Sequence, residues 1–307
     1  MPSWQGKSKG NKLGYSIFIA ILRYGGVYPA YILLRFVAGY YFLFSYSSSR
    51  PIYHYFRTRI GYSPLRSLRS VYRNYYVFGQ TLLDKIVVMA DMENKFSFHF
   101  DGEEHLRSIV SSGKGGILLS AHLGNWEVAG HLFRRLQAPI NIVMFDGEHE
   151  RIKKYLSGVT GGRHVNIIVL KDDLSHIYAI HEALSNKELV CMHADRFLPG
   201  NKTITAPFLG AAARFPAGPF ILAAAFKVPV SLVFAFKESA THYHLYATSP
   251  KTYQRQPKDG SAGADVQHFI TEMEQKVKQY PEQWFNYYDF WDMPEGPTTD
   301  AINIHNK

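Results

Sequence analysis

Through the middle of the chain, apolar runs of strand length alternate with segments of helical periodicity. The runs cover residues 117–121, 140–145, 166–170, 189–193, 230–236 and 243–247. Residues 103–112, 126–136, 148–157, 174–184 and 219–226 lie between or beside them with helical spacing, and 264–280 closes the series as an amphipathic helix. Short apolar runs without polar alternation suit strands covered on both faces, and their alternation with helices predicts an α/β fold. The expected architecture is a central, largely parallel mixed sheet flanked by helices, its last strands antiparallel. Upstream, Leu65, Leu68, Val71 and Tyr72, then Leu82, Leu83, Ile86 and Val87, keep helical spacing across 63–92.

The N-terminal quarter reads differently. Residues 13–46 are strongly apolar and rich in Tyr and Phe, but Arg23, Pro29 and Arg35 interrupt them. No clean run of ~20 apolar residues results, so one or two helices lying in a membrane interface, or one tilted span, are expected. Charge agrees: eleven Lys and Arg residues and no acidic residue precede Asp84, so this quarter holds the whole surplus of a chain with net charge +9. A basic, aromatic segment suits an anionic membrane surface or RNA; its greasiness favours membrane, and no nucleic acid is expected. No small-residue cleavage site follows a short apolar core, so a cleavable signal peptide is not expected. The resulting division is a membrane-anchoring segment over 1–60, an α/β domain over 61–295 and a tail over 296–307. The single cysteine, Cys191, excludes an intramolecular disulfide and, within its apolar run, reads as a buried structural thiol.

Chemistry concentrates behind the run at 117–121, in Ser120-Ala121-His122-Leu123-Gly124-Asn125-Trp126-Glu127. The carboxyl end of a strand opens onto the crevice where α/β proteins bind ligands. Five positions on one continuous helix would set His122 and Glu127 roughly 140° apart, so a turn at Gly124-Asn125 must intervene. His122 then lies on the loop and Glu127 in the first turn of the following helix, with Asn125 as its N-cap. A histidine ionises near neutrality and suits a general base; a carboxylate on its other nitrogen would orient it and steady the imidazolium. Backbone N–H groups near Asn125 and Trp126 are candidate donors to an oxyanion.

His-x-x-x-x-Glu after an apolar strand resembles the signature of the glycerolipid and lysophospholipid acyltransferases. His122-Leu-Gly-Asn-Trp-Glu127 is most similar to the branch of the lipid A late acyltransferases. Ala194-Asp195-Arg196, Pro207-Phe208-Leu209-Gly210, Phe215-Pro216-Ala217-Gly218-Pro219, Lys227-Val228-Pro229-Val230 and Tyr280-Pro281-Glu282-Gln283-Trp284 resemble that branch's later blocks in order, over about 15–292. The resemblance implies transfer of a long-chain fatty acyl group from acyl carrier protein or coenzyme A to a hydroxyl of a lipid, with His122 and Glu127 catalytic. It also implies no cofactor beyond the thioester donor, and a place at the cytoplasmic face of a bacterial inner membrane. Where the branch carries a second acidic residue, this chain continues Phe197-Leu198-Pro199, which loosens the acceptor's identity. An amino-acid lipid, an aryl polyene or a lysophospholipid stays open, as does a non-catalytic membrane-surface or RNA-binding protein.

Further candidates for substrate binding are Asn125, Trp126, Asp195, Arg196, Arg214 and Glu148. Asp195 and Arg196 emerge from a second strand toward the same crevice, and a local salt bridge explains them as well. Arg214 suits a phosphate on a headgroup or on a phosphopantetheine arm. Glu148, with His149 and Arg151, falls behind a third strand, where a solvated helix face is equally expected. The aromatic segment 284–291 reads either as an acyl tunnel or as core. His193 and Asp195 share a strand face but lack a third ligand at suitable spacing, so no metal is expected.

Overall fold

The computed structural model describes residues 12–89, 96–126, 128, 136, 138–145, 165–171, 173, 175–197, 200–255 and 262–291. The chain opens with helices α1 (Lys12–Gly25), α2 (Val27–Phe44) and α3 (Tyr46–His54), a π-helical turn (Tyr55–Arg59) and the long α4 (Pro64–Met89). Then come β1 (Ser97–Asp101), α5 (Glu103–Ser111), β2 (Gly116–Ser120), β3 (Ile140–Phe145), β4 (Val165–Leu170), α6 (Ser175–Ser185) and β5 (Leu189–His193). A hairpin follows, β6 (Thr203–Phe208) and β7 (Ala211–Pro216), then α7 (Gly218–Phe226), β8 (Pro229–Lys237), β9 (His242–Ala247), β10 (Lys251–Thr252) and α8 (Ala264–Gln279).

The main sheet runs β1-β9-β8-β2-β5-β3-β4, with β10 beside β8. All its pairings are parallel except β8 with β9 and β8 with β10. The mixed, mostly parallel sheet flanked by helices is the expected one. β2 lies at its centre and is buried at every residue, which its unbroken apolar sequence requires. Strand alternation divides the core in two. Ile117 and Leu119 face Phe220 of α7 and Phe269 of α8 in one cluster, while Leu118 joins Leu106 and Ile109 of α5, Leu83 and Val87 of α4 and Tyr31 and Leu34 of α2 in the other.

At the N-terminus the break between helices falls at Gly26, with φ at 79°, rather than at Pro29. Pro29 sits in the first turn of α2, where its missing N–H would have no helical partner anyway. α2 is therefore continuous over 18 residues and long and apolar enough to cross a membrane, which weakly suggests membrane association. Its Ala30, Leu34 and Ala38 are buried, and Leu34 seats against Gly79 of α4, where an added Cβ would come within 2.4 Å of the leucine Cδ1. Every fourth residue on another side, Tyr28, Ile32, Phe36, Tyr40 and Phe44, is exposed.

Three strand regions were not expected from sequence: edge strand β1, the hairpin β6–β7 and the two-residue β10. Most of the expected helix at 126–136 and all of that at 148–157 lie outside the described residues, as do Glu148, His149 and Arg151.

Candidate active site

β2 and β5 are adjacent and parallel, in a register that sets Ser120 opposite His193. The ladder continues past both strand ends, for the Ala194 N–H donates to Ser120 O at 2.9 Å. Two residues beyond the paired positions, His122 and Asp195 arrive side by side. His122 Nδ1 lies 2.8 Å from Asp195 Oδ1, and the His122 backbone N–H donates to Asp195 Oδ2 at 3.0 Å. Asp195 is buried while a quarter of the His122 side chain remains exposed, so the imidazole bridges a dry carboxylate and the open crevice.

Burial alone would push the Asp195 carboxyl up. The charge and hydrogen bond of His122, with Arg196 and His193, outweigh it and hold the carboxyl well below the usual carboxylate range. An ionised Asp195 accepts the Nδ1 proton of His122, which leaves Nε2 as the ring nitrogen not engaged with the carboxylate. Asp195 thus stands in the place the sequence reading gave to Glu127, which lies outside the described residues.

The ring of His193 lies against that of His122, with centroids 4.2 Å apart, and the Trp126 ring meets His193 edge-on at 5.3 Å. Burial, then the neighbouring His122, hold His193 well below the ordinary histidine range, so it packs here as a neutral ring. His193 was not singled out as a site residue, although β-alternation already placed it on the face of Asp195.

The His122 loop is held from two sides. Gly124 adopts φ of 74°, and a Cβ there would meet Ala235 O of β8 at 2.1 Å, so only glycine fits. The Asn125 N–H donates to Ala235 O at 2.7 Å, and its side chain reaches Tyr243 Oη at 3.1 Å and Thr81 O at 3.3 Å. The Asn125 N–H is therefore not the free oxyanion donor expected from sequence, and its buried side chain is a structural tie. On the other side, the strap 283–285 crosses the strand ends. Gln283 O accepts from the Gly124 N–H at 2.8 Å, the Phe285 N–H donates to His122 O at 3.2 Å, and Arg196 Nη2 donates to Phe285 O at 2.6 Å.

Arg196 thereby joins the strap to β5, and its Nε lies 3.9 Å from Asp195 Oδ2. Arg214 projects from β7 opposite Thr205, its guanidinium carbon 5.9 Å from the ring of Phe197. Trp284, Phe290 and Trp291 pack with Tyr55 and Phe208 in edge and stacked contacts, so this part of the aromatic segment serves as core. Burial pushes the Cys191 thiol up to about 12, which keeps it protonated and a poor nucleophile.

A further buried cluster ties this loop to the N-terminal helices. Asp84 of α4 accepts from the hydroxyls of Tyr31 and Tyr243 and from Lys237 Nζ. Lys237 Nζ lies 2.5 Å from Asp84 Oδ2, 2.6 Å from Ala240 O and 2.9 Å from Tyr31 Oη, so its three protons have three acceptors. Tyr243 carries the network on to Asn125.

A part-exposed histidine paired with a buried carboxylate, at adjacent strand ends of a helix-flanked sheet, is an arrangement that group transfer can use. The family model described as bacterial lipid A biosynthesis acyltransferase matches residues 69–291, so the chain belongs to that family. It is also 28% identical over 131 residues to a phosphatidylinositol mannoside acyltransferase of Mycolicibacterium smegmatis, a match covering 39% of this chain and 40% of that protein. The matched region thus spans about two fifths of that relative's length.

Proposed function

We propose that this protein is an acyltransferase that moves a long-chain fatty acyl group from a thioester, acyl carrier protein or coenzyme A, to a hydroxyl of a lipid acceptor. His122 Nε2 takes the acceptor's hydroxyl proton as its oxygen attacks the thioester carbonyl. Asp195 keeps Nδ1 protonated and steadies the imidazolium that forms. Collapse of the tetrahedral intermediate breaks the C–S bond and completes the ester, and the proton passes from His122 to the leaving thiolate. No covalent acyl-enzyme is needed, so donor and acceptor are held together. The observation that carries this reading is the 2.8 Å pairing of His122 with a buried carboxylate held ionised.

For the acceptor, the relative's name supports a hydroxyl on a lipid-borne sugar, as does the family's with lipid A. A lysophospholipid, an amino-acid lipid or an aryl polyene is the alternative. The site faces the cytoplasmic surface of a bacterial inner membrane. In this reading α2 lies in the interface rather than across the bilayer: one side packs on α4, the exposed stripe from Tyr28 to Phe44 enters the acyl region, and exposed Arg23, Arg35 and Arg50 meet headgroups.

The test is mass spectrometry of lipids from cells lacking the gene and complemented with wild type, His122→Ala, Asp195→Asn or Glu127→Gln. One lipid class should lose a single acyl chain in the deletion, regain it with wild type and stay deficient with the first two variants. Full restoration by His122→Ala would overturn the base assignment; failure of Glu127→Gln with full activity of Asp195→Asn would return the orienting role to Glu127.

A further inference from the structure

At the outer edge of the sheet, the parallel pairing of β1 with β9 sets His99 opposite His244. Asp101, two residues further along β1, shares the face of His99. His244 Nε2 lies 2.9 Å from Asp101 Oδ2, and His99 Nε2 lies 3.2 Å from Asp101 Oδ1. One ligand atom from each of the three falls within 4.8 Å of the others. The second nitrogen of His244 is also engaged. Its Nδ1 is 3.1 Å from Glu238 Oε1 and 2.9 Å from Tyr246 Oη, while the Tyr280 hydroxyl donates to the same Glu238 oxygen at 2.6 Å.

His244 stands between two carboxylates, its Nε2 turned to Asp101 and its Nδ1 to Glu238 and the Tyr246 hydroxyl. A metal ion set between the His244 Nε2 and Asp101 would also reach the Nε2 of His99, which converges on the same carboxylate. A carboxylate behind a metal-bound imidazole is also its usual support, fixing the tautomer and the ring plane. Two imidazoles and a carboxylate form a donor set for a borderline divalent ion such as zinc. Bonds of about 2.0–2.1 Å at tetrahedral angles would separate ligand atoms by roughly 3.3 Å, and the two histidine-to-Asp101 spacings, 2.9 and 3.2 Å, lie close to that. His99 and Asp101 are 61% and 55% exposed, which leaves an outward position for water and a path for entry.

We propose that His99, Asp101 and His244 bind one divalent transition ion, with Glu238 holding the His244 ring from behind, and that the ion fastens edge strand β1 to β9. His244 lies far along the chain from His99 and Asp101 and meets them only through strand pairing, which is why spacing along the chain gave no sign of the cluster. The site is separate from His122 and Asp195 and does not depend on the acyl-transfer reading.

Full-length protein without an affinity tag, stripped by chelator in detergent, is titrated with zinc against a chromophoric competitor and, separately, with cobalt(II). The expected result is one saturable equivalent, a visible cobalt band of low-coordinate type and a zinc-dependent rise in Tm. His99→Ala, at an exposed position that leaves the fold intact, should abolish the rise in Tm and weaken binding at least ~10-fold, and Glu238→Gln should weaken it by about 10- to 100-fold. Equal zinc affinity in wild type and His99→Ala, or no saturable binding by wild type, overturns the proposal.

Discussion

Asp195 does two things at once: it fixes the tautomer of His122 and holds a charge in a place without water. The second has a consequence for stability. Its folded-state pKa is depressed below the unfolded value near 3.9, so the group contributes stability that is present above that value and is lost as pH falls through the folded one. Asp195→Asn removes that contribution. Denaturant unfolding followed from neutral pH down through pH 4 and below should show wild type losing stability on acidification faster than the variant. Equal acid slopes would mean that Asp195 is not ionised against His122 in the folded state. His122 itself was legible from sequence because strand, turn and glycine are local signals. Its partner at Nδ1 was not, since Asp195 reaches it only through the adjacency of β2 and β5, and no local pattern states which parallel strands are neighbours.

Elements were legible where their patterns were strong. All six expected strands are present, from β2 at the centre to β9, because buried parallel strands carry unbroken apolar runs. β1 escaped notice because an edge strand is half solvated, and Ser97-Phe-His-Phe-Asp101 alternates exposed and part-buried residues over a short length. The β6–β7 hairpin turns on Leu209 and Gly210, both with positive φ, the form that usually advertises itself as Asn-Gly. A leucine at that corner gives no turn signal; its N–H is held instead by Glu274 of α8 at 2.7 Å. α2 shows the same limit from the other side, for its proline suggested a break that helix geometry places earlier, at Gly26. The exposed stripe on α2 yields a prediction at this scale. Replacing Ile32, Phe36 and Tyr40 together by Asp should release the protein from liposomes rich in anionic lipid in a flotation assay, without loss of helix content by circular dichroism. Undiminished flotation of the triple variant would remove α2 from the membrane contact.

Across the whole molecule, the Asp84–Lys237 pair joins the N-terminal helices to the His122 loop. Burial pushes the Asp84 carboxyl up and the Lys237 ammonium down, and the hydrogen bonds from two tyrosines and to Ala240 O compensate. Removing one charge strands the other. Lys237→Met should cost about 3–5 kcal/mol in unfolding experiments, and pairing it with Asp84→Leu should recover much of the loss. If the single variant costs no more than an ordinary surface change, the pair is not charged in the core. Because Tyr31 belongs to the same cluster, residues placed by composition in a separate anchoring segment share the core of the α/β domain.

The strap 283–285 also imposes an order on the birth of the enzyme. Translation delivers His122 first, Asp195 later and Phe285 later still, so the nascent sheet can pair β2 with β5 well before anything spans their ends. Until the ribosome has passed the strap, His122 O and Arg196 lack the partners that fix the loop. The arrangement around His122 is thereby withheld from the nascent chain until residues 283–285 have emerged.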